Sequence, residues 1–169
     1  MKTDLLFEDM GLMLRPVTVG DDEFVYQVYA STRAAEMALV DWSAEQKEAF
    51  LRMQVNAQKD HYKIYYPNAQ YRVIQRAGVL LGRLITEQLP DSLLVIDIAL
   101  LSEYRGAGIG TAVMKYVMAE AAQLSLPVVL RVEFFNPALH LYTRLGFVKT
   151  GEMWSIYHQL TWDPIQSPA

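Results

Sequence analysis

The segment Ser102-Glu103-Tyr104-Arg105-Gly106-Ala107-Gly108-Ile109-Gly110-Thr111 places glycines at every second position from 106 to 110, directly after an arginine. Glycines at that density let backbone N–H groups approach a ligand with no Cβ in the way. If the segment opens a helix, the unpaired N–H groups and the helix dipole favour a phosphate, and Arg105 adds a charge-assisted fork for the same anion. The plainer alternative is a tight strand-to-helix turn with a solvated arginine. Two phosphate-binding patterns fail here. The P-loop needs Lys after its last glycine, and the dinucleotide fingerprint G-x-G-x-x-G meets Thr111 where its third glycine belongs. The pattern R-x-x-G-x-G is matched in full by Arg105, Gly108 and Gly110.

The surrounding elements must hold that segment. Before it, Leu93-Leu94-Val95-Ile96-Asp97-Ile98-Ala99-Leu100-Leu101 is apolar on both faces except for Asp97, which predicts a central strand covered above and below. After it, Val113, Met114, Val117 and Met118 mark an amphipathic helix over 110–124. Upstream, Leu12–Val17 reads as a first strand. Asp21-Asp22 supply an N-cap for a helix carrying Phe24, Val25, Val28 and Tyr29. Ser43-Ala44-Glu45-Gln46 is a capping-box pattern for a second helix that fades near Asp60. Tyr71–Gln75 and Val79–Thr86, split by Ala77-Gly78, predict a hairpin. A strand over 128–132, a short helix over 137–145 closed by Gly146, and a hairpin of 147–150 with 154–162 complete the chain, and 163–169 reads as a frayed tail. The order predicts an α/β (α+β type) domain: a mixed, mostly antiparallel sheet of about seven strands with about four helices.

With the motif and the element order in place, the sequence resembles the GCN5-related N-acetyltransferase (GNAT) superfamily, whose signature [QR]-x-x-G-x-[GA] cradles the pyrophosphate of acetyl-coenzyme A. Ile98–Arg105 is similar to the family's fourth strand and its exit, although Ser102 stands where a member often has Pro. Asn136-Pro137-Ala138-Leu139-His140-Leu141-Tyr142-Thr143-Arg144-Leu145-Gly146-Phe147 is similar to the family's last motif, although the usual interval between Asn and Tyr is one residue longer than that from Asn136 to Tyr142. The resemblance implies the acyl-CoA N-acyltransferase-like fold and acetyl-CoA as co-substrate. It implies coenzyme contacts from Ile98, Ala99, Leu100, Arg105, Gly106, Ala107, Gly108, Ile109, Gly110, Thr111, Asn136 and Tyr142, with strand backbone bonding to the pantetheine arm.

Acetyl transfer to an amine requires a neutral amine, a polarised thioester carbonyl and a proton for the leaving thiolate. An alkyl amine has a pKa of about 10.4, so a base or a desolvating site must help. The resemblance points to Tyr142 as general acid, with a helix tyrosine packing against Leu139 and Leu145 as the alternative. For the base, Asp97 is the first candidate, because an acid in an apolar strand is desolvated; equally, it is a buried carboxylate bonded to Arg or Tyr. Glu87, ending the preceding strand, is the second candidate, and a water chain with no single base is the third. The acceptor side falls to the first two helices, where Tyr26, Tyr29, Trp42, Tyr62, Tyr65 and Tyr66 accompany Asp41, Glu45 and Asp60. The acceptor expected is a small-molecule or peptide amine. A non-catalytic acyl-CoA-binding module on the same fold remains the alternative.

Composition narrows the rest. The 169 residues suit one domain over 1–169, and no linker or repeat divides them. Zero cysteines exclude a disulfide, a thiol nucleophile and Cys-ligated metal, so transfer is direct rather than through an acetyl-cysteine. Three scattered histidines disfavour a metal cage, so no metal is expected. A net charge of −4 is the wrong sign for a nucleic-acid partner and mildly favours a cationic acceptor. With no apolar run long enough to span a membrane and no secretory pattern at the start, the chain reads as cytoplasmic. Strands in the closing hairpin are available to pair two chains as a homodimer.

Overall fold

The computed structural model describes residues 5–166. Seven strands form one sheet: β1 (Leu12–Pro16), β2 (Gln70–Arg76), β3 (Val79–Gln88), β4 (Leu93–Leu100), β5 (Val128–Glu133), β6 (Val148–Met153) and β7 (Tyr157–Trp162). They lie in the order β1-β2-β3-β4-β5-β7-β6, antiparallel throughout except at β4–β5. The α-helices are α1 (Leu5–Asp9), α2 (Asp22–Ala38), α3 (Ala44–Tyr65), α4 (Ile109–Gln123) and α5 (Ala138–Arg144). This is the mixed, mostly antiparallel architecture expected from the sequence, with α1 added.

Local signals explain most boundaries. The capping box forms as read: Ser43 Oγ accepts from the Gln46 N–H at 3.1 Å, and Gln46 Oε1 accepts from the Ser43 N–H at 2.9 Å. α3 continues past Asp60 to Tyr65, because its last turns keep Tyr62 against the sheet while Asp60 and Lys63 face water. Asp21 differs from expectation. It makes no side-chain cap to α2; its carboxylate instead accepts from Arg15 at 2.8 and 2.9 Å and from the Thr18 N–H at 2.7 Å, closing a one-turn 3-10 segment. The closing hairpin begins its second strand at Tyr157, because Trp154 and Ser155 take left-handed φ values of +53° and +60° and form the turn. Of the expected tail, 164–166 form a turn and 167–169 lie outside the described residues.

The sheet separates two layers. On one face α1, α4 and α5 cover Leu84, Val95, Val128, Leu130 and Leu160 together with Val113, Met114 and Val117. α1 is too short to show helical periodicity in sequence; Phe7 anchors it by stacking on Tyr116 with centroids 4.6 Å apart. On the other face lie α2 and α3, joined by Tyr29, Leu51 and Val55. β3 is buried on both faces: Leu81, Leu84 and Ile85 are each no more than 2% exposed, and burial of such a side chain contributes about 1.5–3 kcal/mol.

Two irregularities shape the centre. β4 and β5 pair only at Leu93↔Val128, Leu94↔Val129 and Val95↔Leu130. Ile85 then opposes Asp97 while Thr86 opposes Val95, so Ile96 is an extra residue bulging from β4. A bulge bends its strand and raises its twist. Past it, 96–100 of β4 and 131–133 of β5 diverge without pairing, while β5 stays bonded to β7 as far as Glu133. The result is a wedge in the middle of the sheet. Gly82, next to a second bulge in β3, lies opposite Leu100; a Cβ there would stand 2.2 Å from the Ala99 carbonyl oxygen.

Candidate active site

The wedge leads directly into the glycine turn. Gly106 and Gly108 adopt φ of +75° and +82°, and a Cβ at either would meet nothing within 4 Å. Glycine is therefore required by backbone angle, which side chains other than Asn or Asp resist, and the space beside the turn is open. Gly108 caps α4 in the left-handed conformation with no side-chain cap. No N–H group from Gly106 to Thr111 donates to an acceptor among the described residues; the first bond of the helix runs from the Ala112 N–H to the Gly108 carbonyl. A run of uncapped donors at the positive end of a long helix fits a diphosphate.

Arg105 bonds to the end of β4 and to α2. Its Nε donates to the Leu100 carbonyl at 3.1 Å and its Nη2 to Ser31 Oγ at 3.1 Å. Ser31, on α2, also accepts from the Ser102 N–H at 3.1 Å. The guanidinium therefore braces the turn between the end of β4 and α2, and the uncapped N–H groups are left as the donors toward the open space. Ser31 is a contact that no local pattern reveals, since it lies more than seventy residues away in sequence.

Asp97 stands on β4 just past the Ile96 bulge, and its charge reaches Tyr142 of α5. Asp97 Oδ2 accepts from Arg83 Nε at 2.6 Å, and Arg83 Nη2 donates to Gln58 Oε1 of α3 at 2.8 Å. Asp97 is thus bonded to an arginine through Oδ2, while its Oδ1 accepts no hydrogen bond among the described residues. Tyr142, on α5, is buried and packs edge-on to Phe147 with centroids 5.9 Å apart. Burial, and secondarily the charge of Asp97, pushes its phenol up to about 12. Its hydroxyl makes no hydrogen bond among the described residues. Tyr62 of α3 reaches the same region: burial first, then Asp97, raises its phenol above the usual range.

The other expected residues distribute as follows. Ile98 and Leu100 turn toward the α4 layer, and Asp97 turns toward α3. Glu87 is buried on β3 opposite Leu94, with Oε2 unpartnered. Asn136 Oδ1 accepts from the Ala138 N–H at 2.9 Å and so caps the start of α5. The aromatic half is mostly packing: Tyr26 lies under Arg52 at 3.8 Å, Tyr29 bonds Gln54, and Trp42 meets Phe50 edge-on. His140 is exposed. Among the described residues no group of three His, Asp or Glu could hold a metal ion, and no helix is long and apolar enough to cross a membrane. Arg83 and Gln58 are missed by sequence reasoning; a lone arginine in the apolar run Leu80–Thr86 is the signal for the former.

Comparison with known proteins gives the same picture. The model of the family described as Acetyltransferase (GNAT) family matches residues 33–147. The PaiA N-acetyltransferase of Thermoplasma acidophilum, solved in complex with coenzyme A, superimposes with a TM-score of 0.67 at 17% identity, covering 91% of this chain and 99% of that one. A GNAT family acetyltransferase from Elizabethkingia anophelis, solved with acetyl-CoA bound, gives 0.61 at 17% identity over 90% of this chain and 98% of the other. A chimeric spermidine N-acetyltransferase from Vibrio cholerae and hSSAT gives 0.61 at 19% identity over 92% and 97%. These three share the fold. No curated protein sequence matches the chain.

Proposed function

The chain belongs to the GNAT family of acetyltransferases, whose model spans well over half of it, and from that membership we propose that it moves the acetyl group of acetyl-CoA directly to a primary amine. The carrying observation is that the uncapped N–H groups of 106–111 follow the stretch 96–100 of β4, which has no partner on its β5 side and carries Asp97, whose charge reaches Tyr142. Those donors, and a strand edge able to bond an amide-bearing arm, are what an acyl-CoA needs.

When bound, acetyl-CoA supplies a thioester carbonyl as electrophile and a thiolate as leaving group. The protein groups then divide the work. Backbone N–H groups of 106–111 hold the diphosphate. Ile98, Ala99 and Leu100 align the pantetheine arm along β4, and an N–H after the bulge polarises the carbonyl. Asp97 Oδ1 accepts the proton that the amine loses as its nitrogen bonds the acetyl carbon. Arg83 and Gln58 fix the orientation of that carboxylate. Tyr142 Oη donates a proton to the sulfur as the carbon–sulfur bond breaks. A phenol pushed up to about 12 stays protonated at neutral pH and is ready to donate.

The test is a thermal shift followed by an amine screen. Saturation at a hundredfold over Kd stabilises a fold by about 2.7 kcal/mol, or about 5–10 °C for a chain of this size. Mass-spectrometric detection of acetylated products from mixed amines then establishes transfer. No shift at millimolar acetyl-CoA would sink the proposal, and a shift with no product from any amine would reduce the chain to a binding module.

A further inference from the structure

Glu87 has no part in the transfer just described, and its surroundings are unusual for an acid. It is 5% exposed, its Oε2 is buried without a partner, and no side chain donates to either of its oxygens among the described residues. A carboxylate oxygen buried without a partner is costly, and a bound cation relieves that cost. The neighbours of Glu87 supply no partner. Arg83, four positions back on the same face, gives Nε to Asp97 and Nη2 to Gln58. Tyr71, across the ladder from Ile85, makes no hydrogen bond to Glu87. Arg72 turns to Thr86 and to Glu120 of α4 on the opposite face.

The position is as informative as the isolation. Ile85 lies directly opposite Asp97, and Glu87 is two residues further along the same strand, on the same face. Two residues advance about 6.8 Å and one strand adds about 4.8 Å, so the backbones of Asp97 and Glu87 are separated by a distance on the order of 8 Å. Arg83, Asp97 and Glu87 together leave one negative charge unmatched on the face covered by α3.

We propose that Glu87 binds a second ammonium group of the acceptor, which makes the acceptor class an aliphatic diamine or a longer polyamine. The proposal rests on the amine-acetyltransfer reading above. One amine loses its proton at Asp97 and is acetylated. The other remains protonated and donates to Glu87 Oε2, and no bond is made or broken there. Glu87 is thus a binding and specificity residue, and the separation of the two carboxylates sets the length of chain between the nitrogens.

The experiment compares butylamine with its diamine counterparts, 1,4-diaminobutane and 1,5-diaminopentane, by steady-state kinetics on the full chain and on Glu87→Gln. The melting temperature of each protein is also measured with the diamines alone. A charge-assisted hydrogen bond supports a KM advantage of roughly tenfold or more. Wild type should show that advantage for a diamine over butylamine. Glu87→Gln should lose it with little change in kcat, and butylamine should saturate both proteins alike. The diamines should raise the melting temperature of wild type but not of the variant. An unchanged diamine-to-monoamine KM ratio in Glu87→Gln overturns the site, as does a diamine that leaves the wild-type melting temperature unmoved, whatever the turnover. Acetylation of butylamine with no diamine preference removes the Glu87 role alone. Failure of acetyl-CoA itself to bind removes the underlying reaction.

Discussion

Replacing Gly82 by alanine tests whether the register at the mouth of the wedge governs catalysis. The added Cβ would lie 2.2 Å from the Ala99 carbonyl oxygen, 2.8 Å from Leu100 Cδ2 and 3.0 Å from Leu100 Cα. Carbon and carbonyl oxygen ordinarily come no closer than about 3.3 Å, so β3 and β4 must part by about 1 Å at the residues expected to align the coenzyme arm. Overpacking of this kind costs about 1–3 kcal/mol, offset in part by the ~0.5–1 kcal/mol that alanine gains over glycine in a strand. The net loss of about 1–2 kcal/mol should lower the melting temperature by about 2–8 °C. Turnover should suffer more, because a 1 Å misplacement of reacting groups can cost on the order of 100-fold. Gly20→Ala is the control: its Cβ would meet nothing closer than 3.7 Å, at ordinary φ. The assays are calorimetry and acetyl-CoA-dependent turnover of an amine found by the screen. Wild-type turnover in Gly82→Ala, with or without a change in melting temperature, would refute the claim that this stretch of β4 positions the reaction.

Tyr142→Phe should lower kcat by about 100-fold or more while keeping the acetyl-CoA melting shift; equal loss of both would make Tyr142 a packing residue. Since its phenol lies near 12 in the fold against 10 free, its burial stabilises the protein fully below about pH 10 and that contribution is lost as pH rises toward 12, which melting curves of wild type and Tyr142→Phe compare directly. Gly108→Ala meets no atom within 4 Å but must hold φ of +82°; it should cost about 1–2 kcal/mol through the backbone alone and reduce the acetyl-CoA shift, and an unchanged shift would detach the turn from coenzyme binding. Arg15 and Thr18 hold the Asp21 carboxyl well below the usual carboxylate range, so its stabilisation is present above about pH 4 and falls as pH drops further; the melting temperatures of wild type and Asp21→Asn should converge under acid, and parallel curves would contradict the pairing.

What the sequence revealed depended on the range of the forces involved. The Ser43–Gln46 box and the left-handed glycines of the Arg105 turn are set by atoms a few positions apart, and both appear where the residue pattern puts them. The central strand was legible because burial on two faces writes apolar residues at successive positions of β4. Asp97 stood out within that strand, but its partner was hidden: the Arg83 contact depends on strand register and on the Ile96 bulge. Ser31 and Gln58 were hidden for the same reason, being brought to the sheet by whole helices. Asp21 misled because a carboxylate at a helix start serves as a cap only when no stronger donor is near, and Arg15 is 2.8 Å away.

The parting of β4 from β5 gives the protein two unbonded edges inside its own sheet. Exposed edges on the outside of a protein invite other chains to stack on them; here the two edges face each other within the sheet. A ligand whose arm carries amide groups can complete this ladder as a detachable strand. The amide hydrogens of 96–100 and 131–133 that point into the gap, rather than toward β3 or β7, should exchange quickly with solvent until that strand arrives, then slowly. The least protected part of the sheet would be the part that works, and coenzyme supply in the cell would tune the protein's lifetime as well as its rate.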